Sequence, residues 1–153
     1  MEKIVSGGQT GVDRAALDSA LSASFPCGGW CPLGRTAEDG VIDEKYPLQE
    51  APSRDYGVRT KWNVRDSAGT LILSVGELTG GTALTHSLAR RMDKPCLVVN
   101  LDNVSIVSTV VEWLQEFQIN VLNVAGLRES QQSGIYTKAT GFLQAIVAEI
   151  HHQ

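Results

Sequence analysis

Ile4-Val5-Ser6-Gly7-Gly8-Gln9-Thr10-Gly11-Val12-Asp13-Arg14 is the stretch on which the fold turns. A short apolar strand runs into a glycine-rich turn, and the turn runs into a helix. The helical part carries Val12, Ala15, Ala16, Leu17, Ala20 and Leu21 as one apolar stripe. Gly7, Gly8 and Gly11 allow a tight turn and let a ligand come close to the backbone. Free N–H groups at the helix start, together with the helix dipole, suit an anion. Thr10 followed by Asp13 has the form of a capping box with Asp in place of Glu. The glycines lack the Lys-Ser/Thr pair of a Walker loop and the spacing of the dinucleotide fingerprint. Gly7, Gly8, Gln9, Thr10, Gly11, Asp13 and Arg14 therefore form a candidate phosphate site on a strand–turn–helix unit.

The same unit recurs downstream. Gly69-Thr70-Leu71-Ile72-Leu73-Ser74-Val75 is a nearly continuous apolar run, as expected of a strand buried on both faces. A second glycine-rich turn, Gly76 to Gly81, leads into a helix from Thr82 to Met92. Gly80, Gly81 and Thr82 open that helix, and with Thr85 they are the second set of candidate oxyanion ligands. Thr82 also has the character of an N-cap.

Around these units the chain alternates strands and helices. Strands are expected at 2–6, 27–30, 69–75, 96–100 and 119–124, and helices at 10–23, 56–66, 82–92, 105–117 and 134–151. Residues 33–55 hold Pro47, Pro52 and little periodicity, and read as a long loop able to close over a ligand. The alternation predicts an α/β, Rossmann-like, open parallel sheet of about five strands with helices on both faces. The expected order is 2-1-3-4-5, which sets the two glycine-rich loops on either side of the switch point where such sheets bind ligands.

With 153 residues the chain suits a single ligand-binding domain over 1–153. A net charge of −4 argues against bulk nucleic-acid binding, and no apolar run is long enough to span a membrane. The start lacks the pattern of a signal peptide, and three cysteines fit reduced thiols in the cytoplasm. Cys27, Cys31, Cys96 and His86 are the residues from which a zinc site could be drawn, but the C-x-x-x-C spacing is loose and Cys96 sits in an apolar run, so no metal ligands are assigned. Amphipathic edge helices are compatible with a homo-oligomer.

Arg14 and Arg35 are the candidates for pairing with a phosphate, with Arg128 a weaker one. Glu38 and Asp39, beside Arg35 in the long loop, are the candidate acid and base, or partners of ribose hydroxyls. Trp30 and Trp62 flank that loop and could stack on a flat ring.

Several segments together resemble the molybdenum carrier proteins. They are Ser6 to Asp18, Gly28-Gly29-Trp30-Cys31-Pro32-Leu33-Gly34-Arg35, Ala37-Glu38-Asp39-Gly40, Tyr46-Pro47-Leu48, Arg59-Thr60, Asn63-Val64, Gly80-Gly81-Thr82 and Asn123-Val124-Ala125-Gly126. The resemblance implies a Rossmann-like fold related to the lysine decarboxylase-like (LOG) enzymes. It also implies a carrier of molybdenum cofactor (molybdopterin), a phosphorylated pterin, with molybdoenzymes as acceptors. The wider superfamily implies nucleotide-like ligands, hence two alternatives: a nucleotide N-glycosidase of the phosphoribohydrolase kind, and a nucleotide sensor. The LOG loop P-G-G-x-G-T-x-x-E carries a catalytic Glu. Here Thr85 stands at that offset and no proline precedes the glycines, which favours a binding protein over an enzyme.

Overall fold

The computed structural model describes residues 1–103 and 107–151. Its core is a five-stranded sheet built from β1 (Lys3–Val5), β2 (Cys27–Gly28), β7 (Gly69–Ser74), β8 (Cys96–Asn100) and β9 (Val121–Gly126). Two small two-stranded sheets join β3 (Trp30–Cys31) to β6 (Gln49–Glu50) and β4 (Thr36–Ala37) to β5 (Gly40–Val41). The helices are α1 (Val12–Ser22), α2 (Tyr56–Arg65), α3 (Gly80–Arg91), α4 (Val107–Glu116) and α5 (Ile135–His151). Of the helix expected at 105–117, Ser105 and Ile106 lie outside the described residues.

All pairings in the main sheet are parallel, and the order is β2-β1-β9-β7-β8. This corrects the expected order: the last central strand lies in the middle of the sheet, between β1 and β7. Hydrophobic periodicity could not separate β8 from β9, since both are short apolar runs. Their surroundings separate them. β8 is an edge strand with Val98 40% exposed. In β9, Leu122, Asn123 and Val124 are buried, and the Asn123 amide donates to the Thr70 hydroxyl across to β7 at 3.3 Å. A Cβ on Gly126 would lie 2.2 Å from the Leu73 carbonyl oxygen, so the strands meet there only because the residue is glycine.

Right-handed crossovers then fix the helix layers. The connection β1-α1-β2 runs one way, β7-α3-β8 the other, and β8-α4-β9 returns. α1 and α4 therefore share a face, and α5 packs against both; α2 packs against α3 on the opposite face. The larger core lies under α1, α4 and α5, with Val12, Ala16, Leu71, Leu73, Val124, Ile135 and Leu143 wholly buried. Each large side chain there contributes roughly 1.5–3 kcal/mol. The loops after β1 and β9 lead to one face and the loop after β7 to the other, so the switch point lies between β9 and β7.

The segment 33–55 is not a free loop. Ile42, Tyr46 and Leu48 are buried with Leu17 and Cys31 in a small second core against α1. The second strand is also split. Gly29, at φ +125°, turns the chain out of the main sheet so that β3 pairs with β6 instead.

Candidate functional site

Three chain segments meet at the C-terminal end of the sheet. Gln9 and Asp13 come from the first glycine-rich loop, Gly81, Thr82 and Thr85 from the second, and Ala125, Gly126 and Arg128 from the end of β9. They line a narrow crevice of about 80 Å³, which Tyr56, Arg59 and Thr60 of α2 close from above. The two glycine-rich loops thus face each other across β9.

The second loop is the more open wall. α3 begins at Gly80, with Thr79 as N-cap, so Gly80 and Gly81 form its first turn. Thr82 is therefore not the N-cap: its hydroxyl donates to the Thr79 carbonyl at 2.7 Å. Among the described residues, no hydrogen bond engages the N–H groups of Gly80 and Gly81. A Cβ on either would meet nothing within 4 Å. Two free donors thus stand on the positive end of an exposed helix start, Gly81 in the crevice lining and Gly80 next to it, a setting for an oxyanion.

The first loop is largely closed by the chain itself. α1 starts at Val12 after Gly11, and no side chain caps it. The expected Thr10–Asp13 box does not form. Thr10 instead donates to Glu38 and accepts from the Glu129 N–H, while Asp13 accepts from the Gln9 N–H at 3.3 Å. Val12 N–H donates to Leu127 O, and a Cβ on Gly11 would lie 2.3 Å from that oxygen. The start of α1 is thus plugged by the loop after β9.

What the first loop offers the crevice is Gln9 and Asp13. Gln9 is 4% exposed, and its Oε1 accepts from the N–H groups of Thr10 and Glu38. Those two donors settle the orientation of the amide. Its Nε2 is buried with no hydrogen-bond partner among the described residues. Arg59 Nε is buried and unpartnered as well. Arg59 reaches its place because residue 7 is glycine: a Cβ there would lie 2.7 Å from the guanidinium carbon. The guanidinium stands 3.7 Å from Asp13 and donates to the Thr60 hydroxyl. Arg59 and Arg128 both lie 5.5 Å from the Tyr56 ring centre, which steadies the pair. Burial pushes the Asp13 carboxyl above the ordinary range, with Arg59, the Gln9 N–H, Arg14 and Arg128 pulling the other way.

The other sequence candidates lie elsewhere. Arg35 has a positive φ and gives its guanidinium to the carbonyls of Ile42, Asp43, Tyr46 and Leu48 at 2.8–3.2 Å. Arg14 holds the Gly8 carbonyl and both oxygens of Asp39. Glu38 accepts from Ser130 and Thr10. These hydrogen bonds outweigh partial desolvation and lower the Glu38 pKa, and the Arg14 guanidinium lowers that of Asp39. Arg14, Glu38 and Asp39 line a separate, wider cleft of about 720 Å³ on the outer side of α1, where Asp18 accepts from Tyr46 and Tyr136. Trp30 stacks edge-on against Trp62, donates to Asp66 and is held by Asn63, away from the crevice. Among the described residues, no three His, Cys, Asp or Glu side chains are grouped to hold a metal.

Sequence reasoning ranked the arginines differently from the structure. From the residues alone Arg128 ranks below Arg14 and Arg35, and Arg59 enters through the Arg59-Thr60 segment of the resemblance, with no role assigned. The usable signal was the helix periodicity that puts Tyr56, Arg59 and Thr60 on one side of α2.

Residues 4–147 match the family described as circularly permutated YpsA SLOG family, and the chain belongs to it. The description accords with the sheet: a permutation moves a strand to the other chain end without moving it in space, and here the last strand is central. A solved structure described as a putative molybdenum carrier protein, from Syntrophus aciditrophicus SB, is 48% identical and has a TM-score of 0.92. It covers 96% of this chain and 95% of its own. No curated protein matches, and among the described residues no helix is long and apolar enough to cross a membrane.

Proposed function

We propose that the protein is a carrier that grips a phosphorylated small molecule by its phosphate in the crevice between β9 and β7. The observation that supports this most is the set of unspent donors there: the N–H of Gly81 in the lining with that of Gly80 beside it, and the buried Gln9 Nε2 and Arg59 Nε. Gln9 Nε2 and Arg59 Nε are buried donors without partners among the described residues, which is costly, and an anion in the crevice would bring acceptors to donors the chain leaves unused. The crevice carries Arg59 and Arg128 against the single carboxylate Asp13, a local positive balance in an acidic protein. Its small volume suits a phosphoryl group, with the rest of the ligand extending outward.

The description of the Syntrophus protein supports a molybdenum-related ligand; of such ligands the phosphorylated pterin of the molybdenum cofactor is the one that carries a phosphate, and a nucleotide would use the same donors. The residues fit the phosphate end: the space over Gly80 and Gly81 is open and Gln9 lacks a partner. When bound, that cofactor supplies a metal–dithiolene centre, and this chain would hold its phosphate through Gly80, Gly81, Gln9, Arg59 and Arg128. A carrier needs no general acid in contact with the ligand. The hydrolase reading with Glu38 or Asp39 as its carboxylate would need one of them at the ligand, and both line the outer cleft, where each is tied up by its own partners.

The test is to purify the protein from a host that makes molybdenum cofactor and identify bound molecules and molybdenum by mass spectrometry. A pterin phosphate with molybdenum, lost in Arg59→Gln, supports the carrier. A nucleotide in its place assigns the same site to the alternative ligand class. A phosphorylated ligand retained undiminished by Arg59→Gln would place binding outside the crevice.

A further inference from the structure

The crevice contains one feature that an ordinary anion site lacks. Asp13 is 6% exposed and stands among the donors, 3.7 Å from Arg59. Its other contact, from the Gln9 N–H, is a long 3.3 Å. An ionised carboxylate can only accept hydrogen bonds. A proton-free dianion seated on Gly80, Gly81 and Arg59 would compete with Asp13 for the same guanidinium and set like charges side by side in a buried site. Two such groups do not both stay ionised.

The charges around Asp13 define what relief is available. α2 contributes Arg59, the loop after β9 contributes Arg128, and α1 itself contributes Arg14. From α3 and from the end of β9, the facing residues Gly81, Thr82, Thr85, Ala125 and Gly126 are uncharged. No second acid faces it among the lining residues. Relief must come from a proton.

Resting on the reading of the crevice as a phosphate site, we propose that it takes up an anion together with one proton, shared between the ligand and the Asp13 carboxyl. The site thereby selects a phosphate group over tetrahedral dianions that carry no proton at neutral pH, such as sulfate and molybdate. A phosphate monoester, with its second pKa at about 6, is mostly a dianion at pH 7 but takes on that proton itself for about tenfold in affinity, a cost that sulfate and molybdate cannot meet on their own oxygens. Sulfate and molybdate must draw it from solution onto Asp13, whose burial already favours the protonated form. Asp13 is then the specificity-determining residue, and free molybdate is a poor ligand even if a molybdenum-bearing pterin phosphate is a good one.

Isothermal titration of the full chain with inorganic phosphate, sulfate and molybdate tests this. Between about pH 5 and about pH 8, sulfate and molybdate affinity should fall by up to about tenfold per pH unit. Their binding heat should vary with the ionisation enthalpy of the buffer, reporting uptake of one proton. Phosphate should bind about tenfold or more tighter than sulfate at the upper end of that range. Asp13→Asn should flatten the pH dependence for sulfate and molybdate and abolish the preference for phosphate. Equal binding of phosphate and sulfate to the wild type without proton uptake, or unchanged slopes in Asp13→Asn, would overturn the proton-sharing and leave the phosphate site standing. If none of the three anions binds either protein at any pH, the reading of the crevice as a phosphate site fails with it. The proton-uptake measurement needs only the wild type, so it decides the matter even if Asp13→Asn folds poorly.

Discussion

Arg35→Ala separates a clamp from a ligand. The Arg35 guanidinium donates to four backbone carbonyls, those of Ile42 at 3.2 Å, Asp43 at 2.8 Å, Tyr46 at 3.1 Å and Leu48 at 3.2 Å. A hydrogen bond from a charged group is worth about 1.5–3 kcal/mol when well made. Here two are at the long end, and Asp43 is exposed, so water can replace the guanidinium there. About 1 kcal/mol for each of the other three gives a loss of about 3 kcal/mol. For a chain of this size, that corresponds to a fall in Tm of about 6–12 °C. Urea unfolding measures it, and limited proteolysis should show early cutting near Ile42–Leu48, whose small core loses its tether. Arg35→Lys should recover only part of the loss, because one ammonium cannot span acceptors spread around a planar fork. Phosphate binding should be unaffected at ligand saturation, since Arg35 does not line the crevice. A stability loss below about 1 kcal/mol accompanied by loss of phosphate binding would refute the reasoning and return Arg35 to the ligand.

Four further outcomes are expected. Arg59→Gln should weaken phosphate binding about 10- to 150-fold, the worth of one charge-assisted contact, as read by titration calorimetry; an unchanged affinity would remove Arg59 from the site. Gly126→Ala should cost about 1–3 kcal/mol or more, because its Cβ would overlap the Leu73 carbonyl. Gly81→Ala should leave stability within about 0.5 kcal/mol, since its Cβ meets only open space; the two midpoints in urea, compared side by side, check both. Asp13 has its folded pKa raised from the ordinary 3.8, mainly by burial. The folded state therefore holds more protons than the unfolded chain between the two values, and stability falls as pH rises through that window. Asp13→Asn lacks this slope, so the difference in unfolding free energy should shift toward the variant on going from acid to neutral pH. A constant difference across that range would show that Asp13 has no raised pKa.

The parts of the fold written in local periodicity could be read from the chain. The apolar run Gly69–Ser74 and the stripes of α1 and α5 need only their own residues to declare themselves. Strand order is a different matter: it depends on which runs find partners on both edges, and Cys96–Asn100 and Val121–Gly126 look alike until Asn123 meets Thr70 and Gly126 meets Leu73. The segment 33–55 was opaque for a similar reason. Its order comes from three scattered apolar side chains and one arginine, and none of them is periodic.

In the crevice, the glycines were legible because they sit at the ends of strands, and Asp13 because it opens a helix. The pairing of cations was not. An arginine in a sequence does not show whether its donors all go to carbonyls, as in Arg35, or leave one buried without a partner, as the Nε of Arg59. Distance along the chain also misled: Arg14 lies beside the first loop yet turns to Asp39, while Arg128 reaches the site from the other end of the sequence.

The central position of β9 has a consequence for synthesis. Until residues 121–126 leave the ribosome, β1–β2 and β7–β8 have no strand to join them. The two edges waiting for it, β1 and β7, are buried in the finished protein apart from Lys3. A nascent chain must therefore keep both apart and shielded while most of its length is already made. An interrupted chain ending before Val121 presents two sticky strand edges at once, the geometry from which edge-to-edge aggregation starts.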